Sequence, residues 1–315
     1  TLRRSSAASD VYKRQLFALA LVAISSAGLV FQELGEVPPL LRASWRMQAT
    51  SLVLLPLFLW QWQLLRKLQV SLQDVMILLG SSVCLGMHFG FWVWSLDHTS
   101  LVHSLLFVTS HPLVIVALMP ILGQQLRKGH IWGTALGVLG ALITLKDTED
   151  SGTVTLIGDL VAIAGAVAVV GYFYAGHYLR SKRQWPIFVY ALPVTMLAGV
   201  WLGLASWAGE ESVGPFSSNW GWFGWWESDW IWAVAYLAFG PGLCGHTGLN
   251  TVMRYLPPVV VSVGMLLEPL LGGIIEWFWR GGTGPGFWTW LGAPLLLIGA
   301  GWVTLTNARS EETRE

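Results

Sequence analysis

Charge is scarce in this sequence. Only 11% of the 315 residues are Asp, Glu, Lys or Arg, and the formal net charge is zero, where a soluble domain usually carries about 25% charged residues. A chain so balanced offers no basic face, and no nucleic-acid partner is expected. Cysteine is scarcer still. Cys84 and Cys244 both fall inside apolar stretches, where core packing explains them, and two cysteines alone make no disulfide framework. Catalytic signatures are missing as well. There is no GxxxxGK[ST] loop to cradle nucleotide phosphates, no HExxH zinc motif, no GxSxG elbow and no Cys/His set at ligand spacing. No metal or cofactor is expected, and the chain does not read as an enzyme. An intramembrane enzyme working through buried His and Glu stays open as an alternative, as does a structural membrane protein.

What the chain has in quantity is apolar length: 54% of its residues are hydrophobic and the mean hydropathy is +0.57. Ten apolar segments can be read, near 15–32, 45–62, 74–95, 101–123, 130–146, 156–179, 186–208, 229–250, 257–279 and 286–306. Each is close to the roughly 20 residues that cross a bilayer as a helix. The expectation is an all-α integral membrane protein. Residues 1–14, TLRRSSAASDVYKR, begin without Met and are polar and basic. They resemble neither a signal peptide nor a helix, and SSAASDVYKRQ resembles a translated adapter scar, so they are set aside as a non-native or disordered leader.

Orientation follows from Lys and Arg. One set of loops holds Arg66 and Lys67, Arg127 and Lys128, Arg180, Lys182 and Arg183, Arg254, then Arg309 and Arg314 in the tail, with Arg3, Arg4, Lys13 and Arg14 in the leader. The opposite loops hold Lys146 and Arg280. The positive-inside rule places both termini in the cytoplasm. The long connection 209–228 then lies outside or in a lumen, with Trp220, Trp222, Trp225 and Trp226 at its far end. Indoles favour the headgroup level, so an interfacial belt explains them, and a lid over a substrate path is the functional alternative.

The stretch Leu256–Trp279, LPPVVVSVGMLLEPLLGGIIEWFW, places Glu268-Pro269 in the middle of a spanning segment. A carboxylate at that depth costs about 2.5–3.5 kcal/mol on insertion scales, and proline removes a backbone donor beside it. Leu101–Gly123 carries His111-Pro112 at a similar depth. SLVHSLLFVTSHPL (100–113) aligns without gaps on PPVVVSVGMLLEPL (257–270), and Trp132, Gly140-Ala141 and Thr144-Leu145 are echoed by Trp290, Gly299-Ala300 and Thr304-Leu305. Division near residue 150 leaves five segments on each side. Five is odd, so the second copy must enter the membrane from the opposite face, as an inverted repeat whose midplane site suits alternating access.

These residues resemble the drug/metabolite transporter superfamily, in its EamA-like members. The resemblance is carried by PPLLRASWRMQATSLVLLPLFLW, with Arg46 where that family often carries Arg, by GDLVAIAGAVAVVGYFYAGHYLR and by MLLEPLLGG. It implies ten helices in two repeats, 15–150 and 151–306, with 307–315 a cytoplasmic tail, and transport of a small organic solute. It also implies that helices 1, 3, 4, 6, 8 and 9 line the cavity while 2 and 7 support them and 5 and 10 lie outside. Two features depart from the family: Gly123-Gln124 and Arg280-Gly281 stand where a Gly-Glu pair is frequent, and the Trp-rich loop is long.

The candidate substrate or coupling residues are Glu268 and His111, with His88, His246 and Asn250 around them. A low dielectric can bring a carboxyl to titrate near working pH, and imidazole titrates closest to it unaided. Each could instead be a polar group tied structurally to a neighbouring helix. His103 lies two turns from the midplane and ranks below them, while Ser25, Ser26, Tyr172 and Tyr174 read as packing or hydrogen-bonding groups. Arg42 and Arg46, near the start of the second helix, read as snorkelling cations, with attraction of an anionic solute as the lesser reading. Glu276 reads as a surface residue. Gly86–Gly90 and Gly133–Gly137 have the GxxxG spacing that permits close helix approach, and the second could serve a homodimer seam. The expected partners are therefore a small-molecule solute and membrane lipid. The sequence does not choose between the plasma membrane and an organelle.

Overall fold

The computed structural model describes residues 15–66, 68–121, 123, 125–147, 154–217, 220–227, 229–252, 264–281 and 285–312. The leader 1–14, the start of the ninth apolar segment and the last residues of the tail lie outside them.

Apolar runs of this length have one way to satisfy their backbone without water, and they are helical throughout. The helices are α1 (Gln15–Glu33), α2 (Pro39–Leu65), α3 (Leu72–Ser95), α4 (Leu101–Leu118), α6 (Leu156–Lys182) and α7 (Ile187–Gly209). Between α4 and α6 lies α5 (Lys128–Thr144). The later elements are α8, made of Ile231–Leu237, Ala238–Thr247 and Gly248–Val252, α9 (Glu268–Arg280) and α10 (Phe287–Glu312). Six of these, α1, α3, α4, α6, α7 and α10, are long and apolar enough to cross a membrane. α5 has 17 residues and the described part of α9 has 13, which is short for a full crossing. The chain is an integral multi-pass membrane protein. Its outward faces agree, with Trp60 75%, Trp232 80% and Phe278 76% exposed. Its interior is filled by Phe31, Trp45, Phe89, Phe107 and Tyr190.

Helix contacts form a pattern that survives exchange of the two halves. α2 packs on α7, α4 on α9 and α5 on α10; α3 packs on α6 and α7, while α8 packs on α1 and α2. The closest of these contacts is α5 against α10. A Cβ built on Gly299 would lie 2.3 Å from the Gly137 nitrogen, and one on Gly140 would lie 2.4 Å from the Leu296 nitrogen. Only glycine admits two backbones this near. The Gly133–Gly137 face is therefore filled within the chain, by α10 and by Leu113 of α4. Gly86 and Gly90 are likewise spent within the chain, against Ala198 and Leu202 of α7.

Polar caps tie one end of the bundle together. Glu210, at the end of α7, accepts from Leu40 N at 2.7 Å and Leu41 N at 3.2 Å, supplying the first turn of α2 with an anion. Arg42 Nη2 pairs with Asp97 at the end of α3, and Arg280 Nη2 with Glu33 at 2.7 Å. The Trp-rich connection contains a short parallel pair, Val213–Gly214 with Trp220–Gly221. It is pinned to α2: Trp45 Nε1 donates to Gly221 O at 3.2 Å, Gln48 Nε2 to Trp222 O at 3.0 Å, and Trp225 Nε1 to Gln48 Oε1 at 3.1 Å. At the opposite end a capping box joins Ser71 and Asp74, and Arg183 grips Asp74 with Nε at 2.8 Å and Nη2 at 2.7 Å.

Candidate functional site

The two X-Pro pairs of the sequence sit at matching breaks. α4 is interrupted by a turn at Thr109 and Ser110, and His111 and Pro112 open its second half. Leu266 and Leu267 form the same turn, and Glu268 and Pro269 open α9. Ser110 N bonds to Phe107 O at 3.2 Å and Leu267 N to Gly264 O at 3.0 Å, so the chain tightens to a three-residue spacing at aligned positions. Proline at the second helical position is compatible with a helix start, because its missing donor would have no partner there. A third irregularity is in α8, where Ala238–Thr247 is wound as a π-helix around Gly240-Pro241-Gly242. Such windings recur at functional positions.

These breaks surround a polar interior. His111 is buried against the Phe173 ring at 5.4 Å and interacts with the Val108 carbonyl, the acceptor that Pro112 cannot serve from four residues on. His88 Nδ1 lies 3.0 Å from Gly165 O, and its ring is 6.5 Å from that of His246. Asn250 donates to the Tyr172 hydroxyl and, at 3.0 Å, to His246 O, leaving Oδ1 without a partner among the described residues. Glu268 is 6% exposed and interacts electrostatically with Arg46. The histidines do not converge on a metal geometry: among the described residues no group of His, Cys, Asp or Glu could hold such an ion.

A small cavity of about 20 Å³ lies among the helices, lined by Arg46, Thr50, Phe89, Tyr172, Thr195, His246 and Asn250 among others. That volume holds about one water. Its walls come from α2, α3, α6, α7 and α8. The resemblance implied that helices 2 and 7 only support the cavity, but Arg46, Met47 and Thr50 of α2 and Ala191, Val194 and Thr195 of α7 face it. Of the five candidates, His246 and Asn250 line the cavity, while Glu268, His88 and His111 stand in the shell around it. A larger recess, about 410 Å³, lies between α2 and α7 beneath Trp222, Phe223, Trp225 and Trp226. It is walled mainly by apolar side chains and has no titratable group.

Arg46 is the residue that sequence reasoning misplaced. It is 1% exposed and Arg42 0%, so neither snorkels. Arg46 is about 10 Å along α2 from Pro39 at 1.5 Å per residue. Its guanidinium is 4.0 Å from the Phe89 ring centroid and 5.9 Å from that of Phe31. No local signal marked it: Thr50, one turn further on, spends its hydroxyl on the Arg46 carbonyl at 2.8 Å. His103 was also undervalued. It bridges Asp159 Oδ2 at 3.0 Å and Thr289 Oγ1 at 2.8 Å, all three being buried.

A bundle of apolar helices, with two halves of matching contacts and matching breaks beside buried polar groups, defines a duplicated multi-pass membrane protein. The chain belongs to the EamA-like transporter family, whose model matches it twice, over residues 13–146 and 156–305. It is a membrane transporter of small solutes by that membership. A solved structure described as "Crystal structure of protein" is similar over 96% of this chain and 99% of its own, with a TM-score of 0.63 and 22% identity. At that identity the likeness shows the fold alone. No curated protein matches the chain.

Proposed function

We propose that this protein carries a small organic solute by alternating access, driven by a proton gradient or by exchange. Ten spans form two inverted five-helix repeats, 15–150 and 151–306, with both termini and the tail 307–315 in the cytoplasm. Glu268, His111, His88, His246 and Asn250 contact cargo or couple protons. The reading rests above all on the paired breaks at His111-Pro112 and Glu268-Pro269. Two related halves, each hinged at the same position beside a central cavity, can exchange inward and outward shapes around one site. A carboxyl buried without a hydrogen-bond partner among the described residues is a natural proton carrier.

The test is uptake by reconstituted vesicles across amino acids, nucleosides, sugar phosphates, carboxylic acids and amines, with and without a pH gradient. Saturable uptake that follows the gradient and is lost in Glu268→Gln supports the reading. Saturable uptake indifferent to both keeps the carrier and removes proton coupling through Glu268. Silence across the panel from folded protein overturns it.

A further inference from the structure

The two arginines of α2, one helical turn apart, have different electrostatic fates. Arg42 is neutralised: its Nη2 pairs with the Asp97 carboxylate and donates to Val93 O at 3.3 Å, and its Nη1 donates to Leu34 O at 3.3 Å. Arg46 is equally buried, and among the described residues both arginines leave Nε without a hydrogen-bond partner, but Arg46 leaves Nη1 without one as well and has no carboxylate at contact distance. Guanidinium stays charged in a protein, and a buried charge without a partner is costly. The faces of Phe89 and Phe31 offset part of that cost. They do not use its donors, which require an acceptor.

The position of the unpaired donors matters. Arg46 lines the same cavity as Asn250, whose Oδ1 also lacks a partner among the described residues. The lining thus holds a cation with spare donors, a spare acceptor and the Phe89 ring. We propose that the central site, which must widen beyond the one-water volume it has in this conformation, takes small organic anions bearing a single carboxylate, with Arg46 as the group that recognises the charge. This deepens the carrier reading and rests on it. A planar guanidinium matches a carboxylate in shape and charge. The cavity lining supplies one arginine and no lysine. A phosphate dianion would therefore bring excess negative charge into a low-dielectric interior.

Glu268 shares the field of the same cation. It acts electrostatically on Arg46 without an ion pair at contact distance. It and the cargo carboxylate are therefore rivals for one cation, and removing its charge favours the cargo. His88, His246 and Tyr172 also lie within the field of Arg46.

The experiment is ligand-dependent thermal unfolding of the purified full-length protein, with each acid paired to its own amide. The probes are benzoate and benzamide, phenylacetate and phenylacetamide, lactate and lactamide, then benzylamine and inorganic phosphate. The expected result is saturable stabilisation by at least one acid, about tenfold or more tighter than its amide, which is what one charge-assisted hydrogen bond supplies. Arg46→Gln should abolish that preference, Arg46→Lys weaken it, and Glu268→Gln preserve or tighten it. No acid bettering its amide, tighter binding of phosphate or benzylamine, or an acid preference untouched in folded Arg46→Gln would each overturn the proposal. Should Arg46→Gln not fold, the acid–amide comparison on wild type decides alone. Vesicle uptake separates the two readings. Acid binding without uptake keeps the Arg46 site and removes the carrier, whereas uptake of neutral solutes or amines unaffected by Arg46→Lys does the reverse.

Discussion

Asp147, just beyond α5, accepts from Thr289 twice, from its backbone nitrogen at 2.7 Å and its hydroxyl at 2.6 Å. Thr289 in turn meets His103 Nε2, and His103 Nδ1 meets Asp159, which also accepts from Thr99 Oγ1 at 2.7 Å. The ends of α4, α5, α6 and α10 are thereby joined by one buried polar chain. Removing one member leaves its neighbours buried and unsatisfied, at about 1–3 kcal/mol per group. Asp159→Ala and His103→Ala should therefore each lower the unfolding temperature clearly. The double variant should cost less than the sum of the two, because both remove the same contact. Strict additivity in thermal unfolding would show that the chain is not a coupled unit.

The seam between α5 and α10 makes a contrasting prediction. A methyl on Gly299 would lie 2.5 Å from Gly133 O and 2.3 Å from Gly137 N, and both are backbone atoms that cannot step aside. Gly299→Ala should separate the helices and cost several kcal/mol, read as loss of folded yield and of unfolding temperature. Gly80 in α3 has nothing within 4 Å of its Cβ position. Gly80→Ala should be neutral or stabilising by up to about 1 kcal/mol, since it removes only backbone freedom. Equal effects of the two would refute the close approach.

Much of this architecture was legible because apolar length and X-Pro pairs are local signals. The spans are written as runs of Leu, Val and Ala, and the repeat as His111-Pro112 against Glu268-Pro269. What escaped is what depends on which helices meet. Gly133–Gly137 has the spacing of a contact face, but nothing local says whether α10 or a second molecule fills it. His103, Asp147, Asp159 and Thr289 are dispersed through the chain, so their convergence is invisible before folding. Arg46 was misplaced because two arginines near a helix start look alike in sequence. Both are buried in the bundle, and what separates them is the Asp97 carboxylate that Arg42 meets and Arg46, among the described residues, lacks.

Glu210 offers a test of the tie between the Trp-rich connection and α2. Its carboxylate serves two of the orphan donors at the start of α2 and accepts from Ser206. Glu210→Ala should cost about 1–2 kcal/mol, as loss of a helix cap does. Glu210→Gln should recover part, since its amide oxygen can still accept one bond. Gln48→Ala breaks the neighbouring tie to Trp222 and Trp225, and should raise acrylamide quenching of indole fluorescence. Unchanged quenching would mean that packing alone holds the loop.

The orientation of the chain can be read from two exposed positions. Phe216, in the connection after α7, is 100% exposed, and Gln125, before α5, is exposed as well. Between them the chain passes through α5, α6 and α7. If each helix crosses once, the two positions face opposite sides, and the Lys and Arg bias puts Phe216 outside. With Cys84 and Cys244 replaced by Ser, Phe216→Cys should react with a membrane-impermeant maleimide on intact cells and Gln125→Cys only after permeabilisation. The reverse pattern would invert the topology and place the Trp-rich loop in the cytoplasm. Labelling of both positions from one side would mean that an odd number of these three helices fails to cross, and two halves of five spans each would then be untenable.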